Sequence, residues 1–304
     1  MRIITCLLAA TLLAGCTTTV SGAPAQPPGV GTMVSTGPLD LTLVSFVDPA
    51  PLYLANDYDS KPQDGTRLVA AQFRIHNTGT RDYLVDPITE LSVVAAGTEI
   101  DTSGADTSAG VMLDQVSLSH GQTVLGYVTF DVPDGTRTDE VRYDPMRGPT
   151  RVWRVGAGGK PHAVEPAPDA HDNVHGRGEQ VTITDEGQQL TVAATKVTDP
   201  ATSQDHVDVG AGQHVVQVDF TATENTAPPA DDDPTLRIMT LYDSADQAVN
   251  AQIYSMEASV EHPLVAAEQT AWPVEFVVPD GFVPDHVSFR PEFGSTTTTT
   301  WALS

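Results

Sequence analysis

Four blocks of this sequence occur twice, in the same order and at nearly constant spacing, which restricts the fold to one built from two similar units. Leu39 to Ala50, LDLTLVSFVDPA, is answered by Leu190 to Ala201, LTVAATKVTDPA, at an offset of 151. Leu68 to Ile75, LVAAQFRI, matches Val215 to Ala222, VVQVDFTA, at 147. VTFDVPDG, Val128 to Gly135, and VRYDP, Val141 to Pro145, return as VEFVVPDG, Val274 to Gly281, and VSFRP, Val287 to Pro291, both at 146. A drift from 151 to 146 is what short loop deletions produce.

The repeated blocks have a period of two, the signature of strands with one apolar face. Val69, Ala71, Phe73 and Ile75 take the core-facing positions in the first half, and Val216, Val218, Phe220 and Ala222 take them in the second. Val124, Val128, Phe130 and Val132 correspond to Trp272, Val274, Phe276 and Val278. Further strands are expected around Leu91 to Ala95 and Leu236 to Tyr242, and no sustained helical rhythm occurs beyond the N-terminal apolar run. An apolar sheet face needs a second sheet to cover it, so the expectation is an all-β chain of two tandem immunoglobulin-like β-sandwiches. Pro273 cannot donate to a ladder and is expected on an edge strand or at a bulge.

Val-Pro-Asp-Gly reads as a corner used twice. Pro133 and Pro279 preset φ at the first corner of a turn, Asp134 and Asp280 can bond their own backbone, and Gly135 and Gly281 accept positive φ.

The start of the chain specifies an address. Arg2, an apolar run from Ile3 to Leu13, and then Leu13-Ala14-Gly15-Cys16 have the form of a secretory signal too short to span a bilayer. The Leu-Ala-Gly-Cys ending resembles the lipobox of bacterial lipoproteins, which implies that Cys16 is acylated and becomes the mature N-terminus. The other cysteine, Cys6, falls within the segment removed, so no intrachain disulfide is expected. The expected organisation is a signal peptide over 1–15, the lipidated cysteine and a flexible tether over 16–36, a first sandwich over 37–155, a breaker-rich linker over 156–178 and a second sandwich over 179–304. The location implied is the extracytoplasmic face of the cell membrane, with the acylated Cys16 in the bilayer.

Each half resembles the telokin-like, immunoglobulin-like domains of bacterial surface lipoproteins and of a small secreted immunoprotective antigen. The likeness rests on LVAAQFRIHNTG, then LSHGQTVLGYVTFDVPDG and a closing strand. It covers roughly residues 37–148 and, more loosely, 187–293, where Glu224-Asn225-Thr226 and Ala267-Glu268-Gln269 replace Asn77-Thr78-Gly79 and His120-Gly121-Gln122. The resemblance implies fold and surface location and carries over no catalytic residues.

A formal net charge of −25 repels nucleic-acid phosphates, so no nucleic-acid partner is expected. The sequence contains no serine elbow, His-Glu-x-x-His, Walker loop or dinucleotide-binding glycine motif, and no cofactor is expected. Candidate metal ligands are His206 and Asp208, two apart on one strand face, with His214 across a hairpin; exposed polar residues beside a glycine turn are the plainer account. His171 and His175 would be ligand-spaced only on a helix, which the surrounding Pro and Gly oppose, and the Asp231-Asp232-Asp233 run could offer oxygen ligands to calcium, a solvated loop tip being the plainer account. Tyr53 and Tyr58, in the long loop between Asp48 and Gly65, are the aromatics available to a glycan or protein partner, and the loop from Gly97 to His120 is the other place for a contact surface. The expected function is a non-catalytic envelope lipoprotein presenting tandem sandwiches to an envelope protein or glycan. The alternatives are an envelope hydrolase with a non-local active site and an extracytoplasmic metal-binding protein.

Overall fold

The computed structural model describes residues 27–54, 61–145, 148–155, 174–185, 188–203, 209–225, 238–251, 269–290 and 298–304. The first half contains β1 (Met33–Thr36), β2 (Leu39–Val47), β3 (Thr66–Asn77), β4 (Tyr83–Val85) and a single helical turn α1 (Pro87–Glu90). It continues with β5 (Leu91–Ala95), β6 (Thr98–Asp101), β7 (Val116–Leu118), β8 (Thr123–Pro133), β9 (Thr138–Tyr143) and β10 (Arg151–Arg154). The second half contains β11 (Val174–His175), β12 (Val181–Asp185), β13 (Gln188–Ala201), β14 (Gln213–Glu224) and β15 (Ile238–Asp243). It ends with β16 (Ala248–Asn250), β17 (Gln269–Pro279), β18 (Pro284–Arg290) and β19 (Thr299–Ala302). The chain is all-β, and among the described residues no helix is long and apolar enough to cross a membrane.

The two halves share one strand order. The first packs the sheet β1-β2-β3-β8 on the sheet β10-β9-β5-β6; the second repeats this as β12-β13-β14-β17 and β19-β18-β15-β16, with β11 added beside β19. Every core-facing residue read from the period-two pattern is buried in its half's apolar cluster, including Phe73, Phe130, Phe220 and Phe276 at 0% exposure. Pro273 lies on β17, at the end of its sheet, where no ladder bond is required of it on the outer side.

Each core is locked by a tryptophan that the sequence reading did not single out. Trp153 meets Phe73 edge to face with ring centroids 5.5 Å apart, and Trp301 meets Phe220 in the same way at 6.1 Å. Their indole N–H groups donate at 2.9 Å to Thr32 O, just before β1, and to Glu179 O, just before β12. A buried indole needs such a partner, and here it also pins the entering chain against the far sheet.

Three expectations change. The tether expected over 16–36 includes β1, which pairs with β2 from Met33 opposite Thr42 to Thr36 opposite Leu39. The linker expected over 156–178 includes β11, parallel to β19, with Val174 opposite Thr300. Both strands are short pieces at sheet edges whose stability comes from pairing rather than from a pattern of their own. The third change concerns the corners: Pro133 and Pro279 are the first residues of their turns, not the second, since Thr136 N–H donates to Pro133 O and Phe282 N–H to Pro279 O. Asp134 and Gly135 therefore occupy the centre, with φ 74° at Gly135 and 89° at Gly281, the region a side chain rarely adopts.

Candidate functional site

The repeated Asp-Pro and Val-Pro-Asp-Gly motifs, 84 residues apart in the first half (Asp48 to Val132) and 79 in the second (Asp199 to Val278), meet at one end of each sandwich. Asp134 N–H donates to Gly65 O at 2.9 Å and Asp280 N–H to Gly212 O at 2.8 Å, which seats each corner beside the start of β3 or β14. In the first half Arg67 clamps the junction. Its Nε and Nη2 bond both oxygens of Asp48 at 2.6 and 2.8 Å, while Nη1 reaches Pro133 O and Nη2 reaches Thr136 O, each at 2.8 Å. The Asp48 hydrogen bonds hold the guanidinium proton more firmly than usual, against the opposing effect of burial. In the second half His214 stands in the corresponding place, with Nε2 2.9 Å from Asp199 Oδ1 and Nδ1 3.7 Å from Asp280 Oδ1.

This defines what becomes of the candidate metal ligands. His214 is engaged by the two corner aspartates, while His206 and Asp208 lie outside the described residues. Among the described residues no group of three His, Cys, Asp or Glu side chains could hold a metal. His175 bonds Glu179 Oε1 at 3.0 Å and leans on Trp301, and His171 and the Asp231 to Asp233 run lie outside the described residues. Cys16 and Tyr58 lie outside them too.

The two loops expected to carry a contact surface are joined. Leu52 bridges Thr107, Tyr53 N–H donates to Asp106 O at 3.0 Å, Ser108 N–H donates to Pro51 O at 3.2 Å, and the Thr107 hydroxyl donates to Pro51 O at 2.6 Å. Beneath them lies an apolar layer of Ala50, Leu68, Ala70, Ala105 and Tyr127, with Ala109 and Met112. Leu68, Ala70 and Tyr127 belong to the sheet face away from the main core, so the 102–113 segment acts as a cover over what would otherwise be an outer face. The same segment occupies the open edge of β8: Ser103 N–H donates to Thr129 O and Leu113 N–H to Tyr127 O, both at 2.7 Å, and Tyr127 N–H donates to Val111 O at 2.8 Å. Unpaired edges invite association, and this one is filled by the chain itself.

Tyr53 is placed differently from the expectation. Its ring is half-buried and its hydroxyl oxygen is enclosed, so the flanking Leu52 and Leu54, 37% and 40% exposed, form the accessible rim. Tyrosine's amphipathic ring explains the inversion, since it serves as well under a loop as on it.

A polar cluster that sequence reasoning missed lies under α1. Glu90, 5% exposed, accepts the Tyr83 and Tyr143 hydroxyls at 3.1 Å each, and the two phenols are 3.2 Å from each other. Burial pushes the Glu90 carboxyl above its usual range despite the two phenols that bond it, and burial likewise drives both tyrosines upward. A carboxyl with acidic O–H partners on both oxygens is a fixed internal network; its only sequence signal was the acidic residue ending a Pro-Ile-Thr-Glu stretch before a strand.

The family described as a domain of unknown function, DUF4352, matches residues 28–151. The matched range opens just before β1 and closes at the first residue of β10, so it spans the first half. No curated protein matches the chain. Among solved structures, similarity is found to ycdA of Bacillus subtilis, a proposed lipoprotein, at 17% identity and a TM-score of 0.31, covering 40% of this chain and 38% of that one. The yjhA protein of Bacillus subtilis is 11% identical with a TM-score of 0.33 over 42% of this chain and 99% of that chain. An uncharacterised β-sandwich protein of Clostridium difficile is 10% identical with a TM-score of 0.28 over 44% of this chain and 99% of that one.

Proposed function

We propose that this protein is a non-catalytic lipoprotein of the cell envelope, anchored on the extracytoplasmic face through acylated Cys16 and presenting two immunoglobulin-like domains, 37–155 and 179–304, to an envelope protein or glycan. The Leu13-Ala14-Gly15-Cys16 ending supports the anchor. The observation that carries the binding role is the joining of residues 51–54 and 105–109 into one backbone-bonded surface with an apolar rim. Surfaces prearranged in this way lose little entropy when a partner arrives, and long loops on a rigid scaffold are where binding residues concentrate.

Metabolic labelling with a fatty acid tests the anchor. The intact protein takes up label and Cys16→Ala does not; label on the variant overturns the assignment. Crosslinking in intact cells, followed by identification of the partner, tests the surface: Leu52→Asp with Leu54→Asp loses the partner captured by the native chain, and unchanged capture removes these loops from the role.

A further inference from the structure

The duplication supplies an internal comparison, because residues needed by both sandwiches recur while residues needed by one do not. Phe73 and Phe220 recur at the core, but Arg74 is answered by Thr221, and Asp144 by Arg290. Arg74 faces the second half, where its Nη1 lies 3.2 Å from Asp246 Oδ2, with the two side chains 12% and 11% exposed. Across the same seam Thr298 N–H donates to Asp82 of the first half at 3.0 Å; burial raises the Asp82 carboxyl above its usual range, against its hydrogen bonds and a smaller opposing pull from Arg290, itself 4% exposed. The first half thus offers an arginine to an aspartate of the second, at a position where the duplicated residue, Thr221, cannot do so.

The backbone joins as well. The turn between β15 and β16 places Asp246 at φ 66°, a strained conformation for a residue with a side chain. It is held there by Asp243, whose carboxylate accepts the Ala245 and Gln247 N–H groups at 2.9 Å each and the Gln247 side-chain amide at 2.6 Å. The strained carbonyl of Asp246 then accepts Leu125 N–H at 2.7 Å, so the turn fills the open edge of β8 that residues 102–113 leave uncovered. Around it, Gln122 Nε2 donates to Thr300 Oγ1 at 2.9 Å with both residues buried, Asn250 Nδ2 donates to Gln115 O at 2.9 Å, and the Thr298 hydroxyl bonds Ser117 Oγ at 3.2 Å. Tyr242 and Ala248 of the second half pack with the first half's core, and Val111 of the first packs with the second's.

We propose that the two sandwiches form one rigid body through a permanent intramolecular interface, in which the 243–247 turn is the missing neighbour of β8. A hinged pair would show polar, solvent-screened contacts; here an ion pair is largely shielded from solvent, the Gln122–Thr300 hydrogen bond is buried and core residues are exchanged, which is how obligate contacts differ from transient ones.

The full chain, with Thr98→Cys and Thr184→Cys carrying spin labels and Cys6→Ser with Cys16→Ser removing the two competing thiols, provides the test. The expected result is a single narrow distance distribution that does not move when ten glycine and serine residues are inserted between Gly158 and Gly159. A broad distribution, or one that shifts with the insertion, overturns the proposal. Hydrogen exchange on the same chain gives a second readout. Leu125 N–H is expected to be as protected as the β8 amides that face β3, and Arg74→Glu to speed its exchange at least about tenfold while amides of β12 and β13 are unchanged. Exchange at Leu125 as fast as at an open edge, or indifferent to Arg74→Glu, overturns it. None of these outcomes depends on the acylation of Cys16 or on the identity of a partner.

Discussion

Arg67 and His214 occupy the same position in the two halves, each joining an Asp-Pro motif to a Val-Pro-Asp-Gly corner, but among the described residues the arginine makes four hydrogen bonds and the histidine one contact of hydrogen-bond length. A planar guanidinium with five donors can satisfy a carboxylate and two carbonyls together, which an imidazole cannot. Arg67→Ala is therefore expected to destabilise the chain by about 1–3 kcal/mol, since it leaves partly buried acceptors without donors. His214→Arg is expected to raise the unfolding temperature, because the corner it faces is closed by Phe282 N–H to Pro279 O just as the first is by Thr136 N–H to Pro133 O. Thermal unfolding of the two variants checks both directions.

Phe73→Ala and Phe220→Ala remove the edge-to-face partner of a fully buried tryptophan in the first and second core respectively. Each is expected to destabilise the chain by about 3–5 kcal/mol. Comparable effects on denaturant midpoints are expected from the two, since both rings meet their tryptophan edge to face, at 5.5 Å and 76° and at 6.1 Å and 81°.

Gly126 shows why β8 has a gap in its alternation. A Cβ there would lie 2.8 Å from Leu113 Cβ and 2.9 Å from its backbone, so the covering segment can approach β8 only over a glycine. Gly126→Ala is expected to lose about 1–3 kcal/mol through that overlap and to expose residues 102–113 to limited proteolysis. Gly135→Ala meets no atom within 4 Å and is expected to lose about 1 kcal/mol from its positive φ alone, with no change in proteolysis.

The buried Glu90 carboxyl gives a pH dependence whose sign can be stated. Its folded pKa is raised by burial above the ordinary carboxylate value, so the folded state binds this proton more tightly than the unfolded state does. The stabilising contribution is complete below the unfolded value, near pH 4, and is lost as pH rises through the folded one. Glu90→Gln, which keeps the partners of both phenols without a charge, is expected to raise the unfolding temperature at pH 7.5 by roughly 2–4 °C per kcal/mol recovered, and to leave it unchanged at pH 4. Calorimetry at the two pH values checks this; a gain at both, or at neither, contradicts the buried-charge account.

How far the molecule could be read in advance depends on the range of the interaction concerned. Val69, Phe73, Val128 and Phe130 announced their strand and its buried face because side-chain alternation is a property of consecutive residues. The duplication announced the shared strand order for the same local reason, repeated at a fixed offset. Neither could announce that Ala70 and Leu68 also face an apolar layer, because that layer arrives from residues 105–112 on a segment with no period. Tyr53 was legible as a loop aromatic but not as a half-buried one, and Glu90 gave almost no signal because its tyrosines come from β4 and β9.

By itself, then, the sequence determined the all-β class, the two similar units, their core-facing residues and the two corners, all of which follow from side-chain period, turn chemistry and repetition along the chain. Only the tertiary structure decided that Arg67 and His214 bind those corners, that residues 102–113 close the β8 edge, and that Arg74 meets Asp246. Those are contacts between residues far apart in the chain, made by irregular backbone whose conformation is set by what it packs against and not by its neighbours in sequence.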